Sequence, residues 1–185
     1  LPMTLDPMDE SLKRLADEAI AAEAVRQIGH EAWLYQRSAE SSHLLGVLLD
    51  LAERNEPATL LLASGNKCQG HIELVGRDVV GVRTDQGRRS LFALKHLSAV
   101  IPHPAAPEII GDRELTTEQA EHLPRFHTVL EDLLEDPPLV AATMAGQQEP
   151  VVGSFIRLGL NVLVIRQADG SSVHIPVSAL EEFAL

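Results

Sequence analysis

The sequence contains one pattern twice, and this repeat limits the folds that the chain can adopt. When residues 51–97 are shifted by 83 positions, many of them meet an identical or similar residue in 134–180 without a gap. Seven pairs define the register, and apolar character repeats at several strand positions between them. The register favours a duplication, and the alternative is chance agreement between two glycine-punctuated regions. The matched pairs are Leu51/Leu134, Gly70/Gly153, Gly76/Gly159, Asp78/Asn161, Arg83/Arg166, Gly87/Gly170 and Leu97/Leu180.

The glycines of the repeat predict short, bent strands joined by tight turns. Gly70 and Gly153 favour a close approach between two backbones, and Gly87 supplies the positive φ angle of a hairpin. Gly76 followed by Asp78 is typical of a turn in which the polar side chain bonds its own backbone. Five such strands per copy close most easily into a small barrel, which leaves no exposed edge.

A nine-residue segment of the first copy, residues 70–78, carries a family resemblance. It reads Gly-His-Ile-Glu-Leu-Val-Gly-Arg-Asp and resembles the first motif of the Sm-like family, with one extra residue before the Asp. That family includes the Sm proteins and the bacterial RNA chaperone Hfq. Residues 95–102 resemble the Lys-His segment through which this chaperone contacts uridine-rich RNA, but are one residue shorter. The second copy has Ser178-Ala179 there, so the resemblance implies no RNA-reading pair in that copy.

Residues 48–54, 76–78 and 82–84 read Leu-Leu-Asp-Leu-Ala-Glu-Arg, Gly-Arg-Asp and Val-Arg-Thr, and they resemble an uncharacterised actinobacterial family. This resemblance covers most of residues 1–185 and implies a fold and no established activity. Repeat and resemblance together predict a mainly β protein with helices (α+β). It would contain two tandem five-stranded Sm-like or SH3-like barrels, each preceded by a helix, and a PRC-type barrel is the competing fold. The expected parts are an N-terminal helical segment (1–42), a first barrel with its leading helix (43–102), a linker (103–115) and a second barrel with its leading helices (116–185).

Charge and composition restrict the expected partners and compartment. The net charge is −12, with +1 over residues 43–102 and −9 over residues 103–185, so only the first copy suits a polyanion. Aromatic residues are 3% of the chain, too few for a general base-stacking surface. Cys68 is the one cysteine, which excludes an intrachain disulfide, and no apolar run approaches about 18 residues. We therefore expect a cytoplasmic protein without a membrane partner.

The sequence shows no spacing that is typical of a catalytic or metal site. Its eight histidines include no His-x3-His pair, and there is no Cys-x2-Cys. Lys67 would lower the pKa of Cys68, but no partner histidine can be placed beside it. The acidic run 131–136 is typical of the solvated side of a helix. We predict no enzyme, no cofactor and no metal.

The predicted function is a non-enzymatic binding or assembly module that contacts a protein partner or a second copy of itself. The alternative is RNA binding through the first copy, since basic residues follow a hairpin turn there and recur further along the chain. A small-molecule enzyme with a site between the barrels is a third hypothesis. The candidate nucleic-acid-binding residues are Arg88, Arg89, Lys95 and His96.

Overall fold

The computed structural model describes residues 44–103, 115 and 117–185. These residues lie within one compact unit, Ser42–Leu185. The helical segment predicted for residues 1–42 lies outside the described residues, as does most of the predicted linker.

The first half begins with helix α1, Leu44–Arg54, whose apolar residues recur at helical spacing. Leu48 and Leu51 are fully buried on its inner side, and the helix ends before Asn55, which has a φ of 51°. We name the five strands that follow the first strand unit. They are β1 (Pro57–Leu62), β2 (Lys67–Val75), β3 (Val79–Arg83), β4 (Arg89–Ala93) and β5 (Leu97–Pro102).

The second half begins with helices α2, Thr117–His122, and α3, Phe126–Asp132. The strands that follow form the second strand unit. Each of β7 to β10 lies 83 positions after its counterpart among β2 to β5, within one residue at either end, whereas β6 lies 82 positions after β1. The strands are β6 (Leu139–Met144), β7 (Val151–Leu158), β8 (Val162–Arg166), β9 (Ser172–Pro176) and β10 (Leu180–Ala184).

The ten strands form a single antiparallel sheet in the order β5-β1-β2-β3-β4-β10-β6-β7-β8-β9. The prediction of two tandem closed barrels is therefore wrong. Closing the first barrel would require β4 to pair with β5, but β4 pairs with β10 of the second strand unit instead. The protein is mostly β, and its sheet is open. The sequence pattern specifies strands and turns, but an edge strand accepts any strand that offers the matching backbone groups.

Two apolar cores lie against this sheet. One joins α1 to the first strand unit through Leu48, Leu51 and Phe92. The other joins α3 to the second strand unit and also includes Val79 and Leu91 of the first. Because the second core crosses from one strand unit to the other, packing as well as strand pairing holds them together.

The close backbone approach that the sequence predicts at two glycines is present. A Cβ atom on Gly70 would lie 2.3 Å from the carbonyl oxygen of Arg83, and one on Gly153 would lie 2.2 Å from that of Arg166. Both distances are far below van der Waals contact, so only glycine fits at these two places. The hairpin glycine Gly87 has a φ of 83°, as the turn requires.

Candidate functional site at the junction of the strand units

The pairing of β4 with β10 joins the two strand units, and the sequence-predicted basic residues lie at the two ends of β4. We call this pairing the β4–β10 junction. Leu91 lies opposite Phe183, and the N–H of Leu185 donates to the carbonyl oxygen of Arg89 at 2.8 Å. The junction is therefore a ladder of backbone hydrogen bonds between two strands, each of which is the outermost strand of its own unit on that side.

Glu182 is the polar centre of one side of this junction. Its Oε1 accepts a hydrogen bond from Arg88 Nη2 at 2.9 Å and another from Ser90 Oγ at 2.8 Å. The Glu182 side chain is 18% exposed and Ser90 is 1% exposed, so both groups have lost most of their contact with water. A buried hydroxyl and a largely covered carboxylate need such partners, which fixes how β4 lies against β10.

A second polar contact crosses the junction at Glu181. The Ser64 hydroxyl, in the turn between β1 and β2, donates to Glu181 Oε1 at 2.5 Å. Glu181 is 1% exposed, and its other oxygen has no hydrogen-bond partner among the described residues. A third contact runs from Lys95 Nζ to the carbonyl oxygen of Ser178, which precedes β10.

The four residues predicted to bind nucleic acid are placed at the two ends of β4. Arg88 and Arg89 stand where the strand begins, and Lys95 and His96 follow its end, so four strand residues, roughly 13 Å of strand, and Leu94 separate the pairs. Arg88 contacts Glu182 and Lys95 contacts Ser178, so both ends are tied to the second strand unit. The structure does not bring the four side chains together on one patch. RNA binding through them stays a prediction.

Arg89 and His96, the other two candidate residues, make their contacts within the first strand unit. Arg89 Nε donates to Glu73 Oε2 at 3.1 Å, and Arg83 donates to the other oxygen of the same carboxylate. The hydrogen bond from Arg83, aided by the positive charge of both arginines, holds the pKa of Glu73 below its usual range. His96 Nε2 is buried without a hydrogen-bond partner among the described residues, while the His96 carbonyl oxygen accepts from the N–H of Ala63 at 2.8 Å.

A polar cavity of about 290 Å³ opens beside Glu182 and contains Cys68 in its wall. Burial, and secondarily the negative charge of Glu182, raises the pKa of the Cys68 thiol to about 11. The sequence-based expectation that Lys67 lowers this pKa is therefore wrong, and the thiol is protonated at neutral pH. The cavity wall also includes Asn66, Gln69, Thr84, Arg88 and Ser90.

The turn between β2 and β3 is a second contact between the two halves of the chain. Asp78 Oδ1 accepts a hydrogen bond from the N–H of Phe126, the first residue of α3, at 2.7 Å. The N–H of Arg77 donates to the carbonyl oxygen of Pro124 at 2.9 Å, and a Cβ atom on Gly76 would lie 2.5 Å from that same oxygen. The sequence predicted that Asp78 bonds its own backbone, but in the structure it caps the helix of the second half.

Sequence reasoning missed Ser64, Glu181 and Glu182, although comparing the two copies offers a signal for two of them. At the positions 83 residues earlier, Glu181 corresponds to Ser98 and Glu182 to Ala99. The comparison of the copies marks both glutamates as residues that the shared fold of the units does not require. Both glutamates have partners outside their own repeat.

The described part of the chain contains neither a metal-binding cluster nor a helix that could span a membrane. Residues 44–103, 115 and 117–185 contain no group of three or more His, Cys, Asp or Glu side chains that could hold a metal ion. None of the helices in these ranges has both the length and the apolar character needed to cross a membrane.

No family model matches the chain, and no curated protein is significantly similar to it. The resemblance to the Sm-like family therefore stays a prediction. A function for this chain has to be inferred from its fold and from the geometry of the β4–β10 junction.

Proposed function

We propose that this protein is a non-enzymatic assembly module that binds protein partners through the two free edges of its sheet. The observation that carries this proposal is the β4–β10 junction, where two edge strands from similar units already bind each other. The outermost strands, β5 and β9, are the counterparts of β10 and β4 in the repeat. Neither has a strand on its outer side among the described residues.

The two strands that pair at the junction are more buried than their unpaired counterparts. In β10 four of the five residues are buried, whereas none of the six residues in its counterpart β5 is buried. In β4 four of the five residues are buried, against one of the five in its counterpart β9. A partner strand on either free edge would cover backbone and side-chain surface of the same kind that the junction already covers.

The chemistry of the free edges suits another polypeptide. An unpaired edge strand presents a row of N–H and C=O groups that an added strand can bind. Natural edges are often protected by charged residues, lysine above all. Residues 97–102 and 172–176 contain no Asp, Glu, Lys or Arg, so neither strand has that protection.

The contacts of the basic residues also favour a protein partner over RNA. Arg88 and Arg89 each have a carboxylate partner, and Lys95 donates to a backbone carbonyl oxygen. A phosphate would have to displace these partners before it could bind. The net charge of −12 opposes the approach of a polyanion further.

Site-specific photo-cross-linking in cells tests the proposal. Benzoylphenylalanine would replace Ile101 in β5 or His174 in β9, one at a time, in the full chain. The same group at Glu149, exposed in the loop between β6 and β7, is the control. We expect discrete protein adducts at both edge positions and none at Glu149. The proposal fails if neither edge yields a protein adduct.

A further inference from the structure

The internal junction offers a template for contact between separate chains. Resting on the proposed function, we infer that the partner is a second copy of this chain, bound head to tail, with β5 of one copy against β9 of the next. Shifting the junction by 83 residues maps Phe183 onto Val100 and Leu91 onto His174. The pair Phe183–Leu91 therefore predicts that Val100 of one copy lies opposite His174 of the other.

In this register, apolar side chains of β5 and β9 would meet at positions where the β4–β10 junction has polar side chains. Ile101 of one copy would lie opposite Val173 of the next, at the place of Ala184 and Ser90. Ile101 is 42% exposed in the single chain, which is surface that a second copy would bury. The carboxylate of Glu182 has no counterpart, because Ala99 stands at that position.

The turn between β7 and β8 lies toward the same edge of the sheet as β9. Within the part of the chain that the structure describes, it lacks at Leu160 the contact that its counterpart in the first strand unit makes at Arg77. Its central residue, Leu160, corresponds to Arg77 and is 98% exposed. Arg77 and its neighbours hold the segment that leads into α3. Among the described residues Leu160 has no counterpart of that contact, although His127 of α3 donates a hydrogen bond to the neighbouring carbonyl oxygen of Gly159 at 2.9 Å. In the head-to-tail arrangement the beginning of α1 from the next copy, at Leu44, would face this turn.

Prolines make the outer contact weaker than the internal one. On β5, the N–H of His103 donates to the carbonyl oxygen of Pro57, so the preceding residue, Pro102, faces outward. Pro102 has no N–H, whereas its counterpart Leu185 donates to Arg89 across the junction.

The same holds for β9. The N–H of Val177 donates to the carbonyl oxygen of Asn161, so Pro176 faces outward, where its counterpart Ala93 has an N–H. Each edge thus lacks one donor but keeps its central pair of backbone groups at Val100 or His174. The result is a reversible contact that depends on concentration and not a permanent one.

Analytical ultracentrifugation of the full chain, from about 10 μM to about 1 mM, measures this contact directly. We expect the average mass to rise with concentration. We also expect association to strengthen in 0.5 M salt, because two chains of net charge −12 repel each other at low ionic strength. Binding to RNA would weaken under the same change. A chain that stays monomeric at about 1 mM in both salt concentrations overturns the inference.

Two designs separate this contact from any other. The double variant Pro102→Leu with Pro176→Ala gives the outer edges the residues of the inner ones, and we expect its dissociation constant to be at least about tenfold lower. Val100→Pro removes the central donor of β5, and His174→Pro that of β9. Each alone should remain monomeric, but their mixture should form one-to-one complexes that grow no further, as a head-to-tail contact requires.

The outcomes distinguish this inference from the proposed function. If the double variant associates no more tightly than the parent chain, self-association through these edges is wrong, whether or not the proline variants fold. If the edges cross-link in cells to a different protein while the purified chain stays monomeric, the inference fails and the proposed function stands. Circular dichroism melting of each variant shows whether its fold is retained.

Discussion

The turns at Gly76–Asp78 and Gly159–Asn161 have the same internal hydrogen bonds but different neighbours. In both, the glycine N–H donates to the carbonyl oxygen three residues later, at 2.8 Å in the first and 2.7 Å in the second. The first turn binds the backbone at the beginning of α3 through Asp78. The second contacts the same helix through the His127 side chain, at the Gly159 carbonyl oxygen, and leaves Leu160 almost wholly exposed. The difference teaches that repeated turn chemistry is independent of position, while the contacts of a turn depend on which unit lies beside it.

The strand edges show the same contrast. The β4–β10 junction contains Glu181 and Glu182 with their hydroxyl and guanidinium partners, and the outer edges have Ser98 and Ala99 at those positions. A buried polar group stabilises one register, because any shift leaves it without its partner. The two carboxylates therefore occur where the contact is permanent, and the outer edge strands contain neither Asp nor Glu.

The largest expected loss of stability tests the close backbone approach at a glycine, which the two strand units share. Gly70→Ala and Gly153→Ala each place a methyl group against a carbonyl oxygen at 2.2–2.3 Å, so each should lower the free energy of unfolding by about 3 kcal/mol. Urea titration measures this loss. Gly170→Asn is the control, because nothing lies within 4 Å of a Cβ atom there and asparagine tolerates its φ of 86°. Unequal losses at the two glycines would show that the units are less alike than their backbones.

The next effect tests the polar junction. Glu182→Ala removes the acceptor of the buried Ser90 hydroxyl and of Arg88, and we expect a loss of about 2 kcal/mol in urea titration. Glu149→Ala makes the same change in net charge at an exposed loop position and should cost less than about 0.5 kcal/mol. If the two variants are equally stable, Glu182 does not fix the junction.

A smaller effect distinguishes the two turns. Asp78→Ala removes the acceptor for the N–H of Phe126 at the beginning of α3, which should cost about 1 kcal/mol. Asn161→Ala changes the equivalent residue of the second turn, whose side chain has no hydrogen-bond partner among the described residues, and should stay within about 0.5 kcal/mol of the parent chain. Thermal melting of both variants at one protein concentration compares them. Equal losses would contradict the difference between the turns.

The smallest effect is a pH dependence confined to the first strand unit. Arg83 and Arg89 lower the pKa of Glu73, so their contact stabilises the fold above the ordinary pKa of a glutamate and is lost as the pH falls through the lowered one. Because the pair is partly exposed, Glu73→Gln should cost less than about 1 kcal/mol at pH 7.

The pH measurement itself compares two variants in urea titrations from pH 7 down to pH 3. The difference between the parent chain and Glu73→Gln should shrink as the pH falls. Arg166→Gln is the control in the second strand unit, where Ile156 replaces the carboxylate. A difference that is constant over the whole range would show that Glu73 acts through packing and not through its charge.

Several features of the fold follow from local sequence. The glycines at positions 70, 87 and 153 predicted close approaches and a hairpin because such requirements are met within a few residues of chain. The candidate site was less accessible. Arg88 and Lys95 were noted for their charge, but their partners lie 94 and 83 residues away, and no local pattern specifies such a distance.

Local sequence is enough to place the strands and turns, since backbone conformation at glycines and the alternation of apolar residues are local properties. The pairing of β4 with β10 follows only from the folded chain, and it replaces the two expected barrels with one open sheet that has two free edges. The physical reason is that the backbone groups of an edge strand are the same along every strand. Packing and the few polar contacts at Ser64, Glu181 and Glu182 select among the possible partners.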